Sequence, residues 1–191
     1  GHFYGLCKLG ATMTGDATYR FDAPEGLAGR ELFLDEASVT ATEQILIAAA
    51  TARGRTTLYN AAGEPHVRDL AEMLNAMGAK ISGAGSNTIE IDGVELHGCT
   101  HTIVGDHIEA GSFLALGAAT GGEITVEGTH LRHYWMLRRV FERLGLRMEL
   151  RPDHIFLPGG QDPQIECDFG GHIPQISDGP WPQYPSDMMS C

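Results

Sequence analysis

Two stretches carry residue types and spacings that could do chemistry. In Asp35-Glu36-Ala37-Ser38-Val39-Thr40, carboxylates and hydroxyls stand directly ahead of an apolar run. That position is the start of a helix, where free backbone N–H groups suit phosphate or carbonyl oxygens, and where Ser38 can equally serve as a simple N-cap. In Pro180-Trp181-Pro182-Gln183-Tyr184-Pro185-Ser186-Asp187, three prolines stiffen a loop that delivers a carboxylate to a helix start. Asp187 there can act as a cap or as a base.

Other groupings have plainer explanations. His97-Gly98-Cys99-Thr100-His101 and His130-Leu131-Arg132-His133 hold metal-ligand residue types, but no second ligand pair follows at zinc spacing, so both read as surface histidines and no metal is expected. Asp168-Phe169-Gly170 copies a kinase triplet without the Gly-rich loop, strand lysine or HRD segment that kinase chemistry needs. Arg132, Arg138, Arg139, Arg143, Arg147 and Arg151 crowd one region, mostly on the polar side of an amphipathic helix, which is the pattern of a solvated face.

Composition narrows the classes. The chain has 191 residues, 42% of them hydrophobic and 20% charged, with a formal net charge of −12. That charge argues against nucleic-acid binding, which needs a basic face. No segment approaches the roughly 18 apolar residues of a membrane-spanning helix, so no membrane partner is expected. Cys7, Cys99, Cys167 and Cys191 form no CxxC pair, which suits a reducing compartment and makes a cytoplasmic location the expectation. Gly1 at the start and Asp187-Met188-Met189-Ser190-Cys191 at the end, which reads as a helix cut after its first turn, suggest truncation at both ends.

The elements that must position these residues recur with a period near 67. Leu9-Gly10-Ala11-Thr12-Met13, Met77-Gly78-Ala79-Lys80-Ile81 and Leu144-Gly145-Leu146-Arg147-Met148 align as a helix end followed by a strand. Ala50 to Leu58 aligns with Ala118 to Val126 at a matching offset. Within a unit the order is helix, strand, helix, strand, strand. Ile45 to Ala50 and Phe113 to Ala119 are apolar on every side and predict helices buried all round, the first stopped by Gly54. A second helix opens at Pro65, with Val67, Leu70, Ala71, Leu74 and Met77 as its core stripe; its counterpart runs from Leu131 to Leu144. Ala79-Lys80-Ile81 with Thr88–Ile91, and Met148–Leu150 with Ile155–Leu157, predict closing hairpins. Such units cannot cover their apolar helices singly, so the fold class is α/β (α+β), a repeat domain with a shared helical core.

Several stretches together resemble the enolpyruvyl transferase family, and within it the branch that acts on UDP-N-acetylglucosamine. They are Leu34 to Glu43, Asn60-Ala61-Ala62-Gly63-Glu64-Pro65, Leu74 to Gly83, Asp106-His107-Ile108-Glu109-Ala110-Gly111-Ser112-Phe113 and Tyr184-Pro185-Ser186-Asp187-Met188. The resemblance covers nearly the whole chain. It implies an inverse α/β barrel of repeated βαβαββ units in two domains, with residues 1–104 the C-terminal part of the first, residues 105–191 the N-terminal part of the second, and substrate in the cleft between them. It implies transfer of the enolpyruvyl group of phosphoenolpyruvate to the sugar 3'-hydroxyl with release of phosphate, the first committed step of peptidoglycan synthesis. Its partners would be those two small molecules, with no cofactor.

Carried over by position, Asp187 would stand beside the reacting hydroxyl as acceptor or orienter of its proton. Ser38, Val39 and Thr40 would contact the uridine diphosphate, with Glu36 nearby. Glu36 stands where many relatives have Lys, Thr40 where they often have Gly, and His107 where an Arg commonly follows the equivalent of Asp106. Glu64 would be a cleft-facing acid or a cap, and Asp106 a further cleft residue. The family's loop cysteine and its phosphoenolpyruvate-gripping basic residues would lie outside this chain, so the 191 residues alone should not turn over. The alternatives are a non-catalytic nucleotide-sugar-binding paralogue, a protein-binding repeat scaffold and the shikimate-phosphate enzyme, whose serine-rich helix start with a following glutamine is missing at Ser38.

Overall fold

A computed structural model describes residues 1–189, which divide into two compact units, one ending at Ile103 and the other beginning at Val104. Ser190 and Cys191, and with them the end of the expected terminal helix, lie outside the described residues.

The first unit opens with α1 (His2–Lys8), followed by the antiparallel ribbon of β1 (Thr12–Thr14) and β2 (Arg20–Asp22). A complete βαβαββ unit follows: β3 (Glu31–Phe33), α2 (Val39–Ala50), β4 (Arg55–Tyr59), α3 (Pro65–Ala76), β5 (Lys80–Ser82) and β6 (Thr88–Asp92). The sheet runs β3-β4-β6-β5, with β3 and β4 parallel across the α2 crossover and the other pairs antiparallel. Alternation explains its inner face: Thr56 and Leu58 of β4 and Ile89 and Ile91 of β6 are buried and Thr57 and Glu90 are not. They meet Ile45, Leu46, Val67 and Leu74 from the helices in one core. Helix α1 joins this core because Gly5 lets it approach α2; a Cβ there would lie 2.6 Å from Ile45 Cγ1.

In the second unit α4 (His107–Thr120), β7 (Ile124–Glu127), a 3-10 turn at Leu131–His133, α5 (Trp135–Arg143), β8 (Glu149–Leu150) and β9 (His154–Leu157) repeat the pattern without the leading strand among the described residues. Its antiparallel sheet runs β7-β9-β8, and its own core holds Leu114, Tyr134, Leu137, Phe141, Ile155 and Leu157. A loop ends in a second 3-10 turn, Ser186–Met188.

The period read from the sequence appears as one backbone device. After α3 the amide of Ala79 donates to Leu74 O and that of Gly78 to Asn75 O; after α5 Leu146 donates to Phe141 O and Gly145 to Glu142 O; Ala11 and Gly10 do the same after α1. These are Schellman caps, and Gly78 and Gly145 sit at φ of 101° and 76°, where a side chain is strained.

Three expectations are corrected. The helix expected over 131–144 is broken at Tyr134 (φ −118°, ψ 3°), preceded by a 3-10 turn. The break lets Tyr134 begin the buried stripe continued by Leu137 and Phe141, while His130 and His133 stack at 4.8 Å. Helices α2 and α4 are not buried all round: Ile47, Phe113 and Leu116 are 54%, 48% and 57% exposed, because each unit packs only one side of its helix. Helix α2 ends at Ala50 with Thr51 as cap, before Gly54, whereas α4 runs two residues further in register and stops on Gly121 at φ 66°.

Candidate functional site

In the first unit the Ser38 turn and the Asn60–Pro65 loop are joined. Ser38 is the N-cap of α2, its Oγ accepting from Ala41 N at 3.4 Å. The buried Thr42 hydroxyl donates to Ser38 O (2.8 Å) and accepts from Ala62 N (3.0 Å), so one side chain holds the loop against the helix start. Asn60, at φ 56°, donates a hydrogen bond from Nδ2 to Leu34 O at 2.8 Å. Glu36 and Thr40 are exposed beside Ser38, and Val39 is half-buried. The His2 ring contacts the side chains of Thr40 and Gln44.

Glu64 occupies the N-cap position of α3, but its side chain makes no capping bond. Its Oε2 is instead buried without a hydrogen-bond partner, a state that native interiors rarely leave unexplained. The simple capping role open for Glu64 is therefore not the one its carboxylate fills.

In the second unit Asp106 caps α4, Oδ1 accepting from Ile108 N at 2.8 Å and Glu109 N at 3.3 Å. Asp106 stands 68 residues after Ser38, so the repeat places a capping oxygen at the head of each equivalent helix. Asp106 also borders a cavity of about 270 Å³ that reaches Glu109, Phe113, Glu127, Thr129 and Tyr134. The Tyr134 hydroxyl is buried there, and burial, with the Asp106 carboxylate acting in the same direction, pushes its pKa up to about 12.

Asp187 lies exposed in the second 3-10 turn. Its neighbour Met188 anchors the turn: the side chain is buried against α4, where a Cβ on Gly111 would come within 2.1 Å of Met188 Cε. Tyr184 OH donates to Met188 O at 3.2 Å, and Ser186 Oγ donates to Asp178 Oδ2 at 2.6 Å. Asp187 and Asp106 thus belong to one unit, and Ser38, Glu36 and Glu64 to the other.

His97 and His130 are exposed as expected, while His101 and His133 are partly covered. His101 Nε2 meets Asp69 Oδ1 at 3.0 Å with both side chains mostly covered. His107 is buried, its ring 5.4 Å from Trp181 and 6.4 Å from His133. Among the described residues no cluster of three or more His, Cys, Asp or Glu side chains could hold a metal ion, and no helix is long and apolar enough to cross a membrane. The arginines behave as a solvated face: Arg138 and Arg139 pair with Glu142, and Arg151 with Glu149. Thr42, Thr129 and Tyr134 had not stood out in the sequence. Thr42 follows Ser38 by one helical turn, a detectable spacing; the other two carry no local signal, because their positions result from tertiary packing.

The second unit repeats the βαβαββ order of the first at an offset of 68 residues without its leading strand, with a polar cap heading each long apolar helix, and solved enolpyruvyl transferases share this class of fold. Solved structures agree: the enolpyruvyl transferase NikO from Streptomyces tendae superposes with a TM-score of 0.70 at 22% identity, over 81% of this chain and 40% of that one. An EPSP synthase from Acinetobacter baumannii gives 0.59 at 23% identity, over 81% and 39%. Residues 1–169 match the EPSP synthase (3-phosphoshikimate 1-carboxyvinyltransferase) family, and the chain belongs to that family. Among curated relatives, the UDP-N-acetylglucosamine 1-carboxyvinyltransferase of Borreliella burgdorferi is 49% identical over 191 residues, and that of Treponema denticola 46% identical over 190. The matches cover 99% of this chain but 44% of each relative, so the chain spans less than half their length.

Proposed function

We propose that this chain is part of a transferase that moves the enolpyruvyl group of phosphoenolpyruvate to the 3'-hydroxyl of UDP-N-acetylglucosamine, releasing phosphate. The observation that carries this reading is the 49% identity, sustained over 99% of the chain, to an enzyme of that name. A soluble wall-precursor pathway in the cytoplasm follows from the same reading. In it, residues 1–104 end a first domain and residues 105–191 begin a second, a boundary one residue from the division between the two compact units.

The roles follow from the chemistry. Addition of the sugar hydroxyl to the central carbon of phosphoenolpyruvate requires removal of a proton, and Asp187 is the group assigned to accept or orient it; its exposed carboxylate on an anchored turn supports that role. Ser38, Val39 and Thr40 are assigned to the diphosphate at the head of α2, where the N–H groups of the first turn favour anions. Glu36 adds a negative charge beside them, so phosphate binding at this turn relies on its backbone N–H groups. Glu64, with an unpaired buried oxygen, and Asp106 complete the assigned polar groups.

Calorimetric titration of the full-length protein tests the substrate assignment. UDP-N-acetylglucosamine should bind with saturation while shikimate 3-phosphate does not, and preference for shikimate 3-phosphate would overturn the reading.

A further inference from the structure

The cavity at the head of α4 has an unusual lining. Asp106, Glu109 and Glu127 bring three carboxylates, Thr129 and Tyr134 bring hydroxyls, Phe113 brings a half-exposed aromatic ring, and no Lys or Arg borders it. Tyr134 is 1% and Thr129 8% exposed, and the hydroxyl oxygen of each is buried without a hydrogen-bond partner. Leaving two such groups unpaired is costly, and a ligand group that satisfies them offsets that cost.

The chemistry of that group follows by elimination. An anion is repelled: three carboxylates outweigh the roughly half a positive charge at a helix N-terminus, and Asp106 already accepts two of its N–H groups. A neutral sugar hydroxyl brings a single proton for three carboxylates, and only the Thr129 and Tyr134 hydroxyls could use its lone pairs. Beside an apolar wall of Ala110, Phe113 and Val126, the polar side chains of the lining are carboxylates and hydroxyls, all able to accept, so it suits a group that donates several protons. Guanidinium carries five donors and ammonium three, with no acceptor on either. The Phe113 ring adds a face that attracts a cation within about 6 Å.

We propose that this cavity is a binding site for a guanidinium or alkylammonium group, held by Asp106, Glu109 and Glu127 and read by the Thr129 and Tyr134 hydroxyls. The inference does not require the transferase reading, although the two share Asp106. The cation is either part of a small molecule or a basic side chain of the protein outside residues 1–191.

The test uses the full-length protein labelled with 3-fluorotyrosine, the Tyr134 signal being assigned by its loss in Tyr134→Phe. Agmatine, N-acetylglucosamine and inorganic phosphate are titrated in turn, and a crystal structure is determined. A saturable agmatine shift at Tyr134, weakened about tenfold or more in Glu109→Gln, supports a free cation. No agmatine shift, with an Arg or Lys nitrogen of the protein within hydrogen-bond reach of the Tyr134 hydroxyl in the crystal, supports the internal cation. A shift by the sugar or phosphate but not by agmatine overturns the proposal, as does a cavity with neither an agmatine response nor a basic side chain. If Tyr134→Phe fails to fold, calorimetry of agmatine binding to the unaltered protein and to Thr129→Val and Glu109→Gln reads the same outcomes, together with the crystal structure.

Discussion

Asp187 and Glu64 make contrasting predictions because their surroundings differ. Asp187 is exposed on its turn, so Asp187→Asn should preserve folding and substrate affinity while lowering kcat of the full-length enzyme by about 10²-fold or more, the range for loss of a general base. Steady-state kinetics with both substrates measures this, and an unchanged kcat contradicts the assignment. Glu64 instead buries an unpartnered oxygen, so Glu64→Gln should leave thermal stability unchanged or raised, while weakening turnover. A large loss of stability would show that the carboxylate is structural. Nothing in the residues around Glu64 announces that burial: the sequence reads equally well as an ordinary cap ahead of Pro65.

At the scale of elements, the helix starts and stops were legible because they depend on local chemistry. Pro65 opens α3 and Gly78 follows its cap, each enforced by its own backbone. The break at Tyr134 was not legible, since it depends on where one ring finds its core and where two histidines stack. The shared glycine device permits a graded prediction. Alanine at Gly10 meets only the left-handed strain, about 1 kcal/mol, because nothing lies within 4 Å of its Cβ. Alanine at Gly145 adds a clash with the Gln164 backbone at 2.4 Å and should cost clearly more. Urea unfolding of both variants checks the order, and equal costs contradict it. A third element is the Asp168–His172 turn. Backbone N–H groups of His172 and Gly170 hold the Asp168 carboxyl below its usual range. A depressed folded pKa means that the turn is favoured above about pH 4 and loosens as pH falls through the lowered value. Amide exchange at Gly170 and His172 should therefore lose protection on acidification; protection that rises would contradict the sign.

For the whole molecule, the repeat and its α/β class were readable because Leu9, Met77 and Leu144 recur before the same glycine, a pattern that survives divergence elsewhere. The long apolar helices were overread. Ile47, Phe113 and Leu116 look like interior residues in sequence, yet each unit leaves that side open. The cavity beneath Asp106 was invisible for the opposite reason: Thr129 and Tyr134 become neighbours of Glu109 only after β7 and α5 pack beside α4. On the transferase reading, a chain that spans 44% of its curated relatives should show no turnover as 191 residues alone, and product formation by that piece would contradict this.

Mass spectrometry of the full-length reaction tests the transferase reading most directly. Incubated with phosphoenolpyruvate and an equal mixture of UDP-N-acetylglucosamine and shikimate 3-phosphate, the enzyme should convert only the nucleotide sugar, each enolpyruvyl adduct matched by one phosphate released. An enolpyruvyl shikimate product, or phosphate released without any adduct on the sugar, would contradict it.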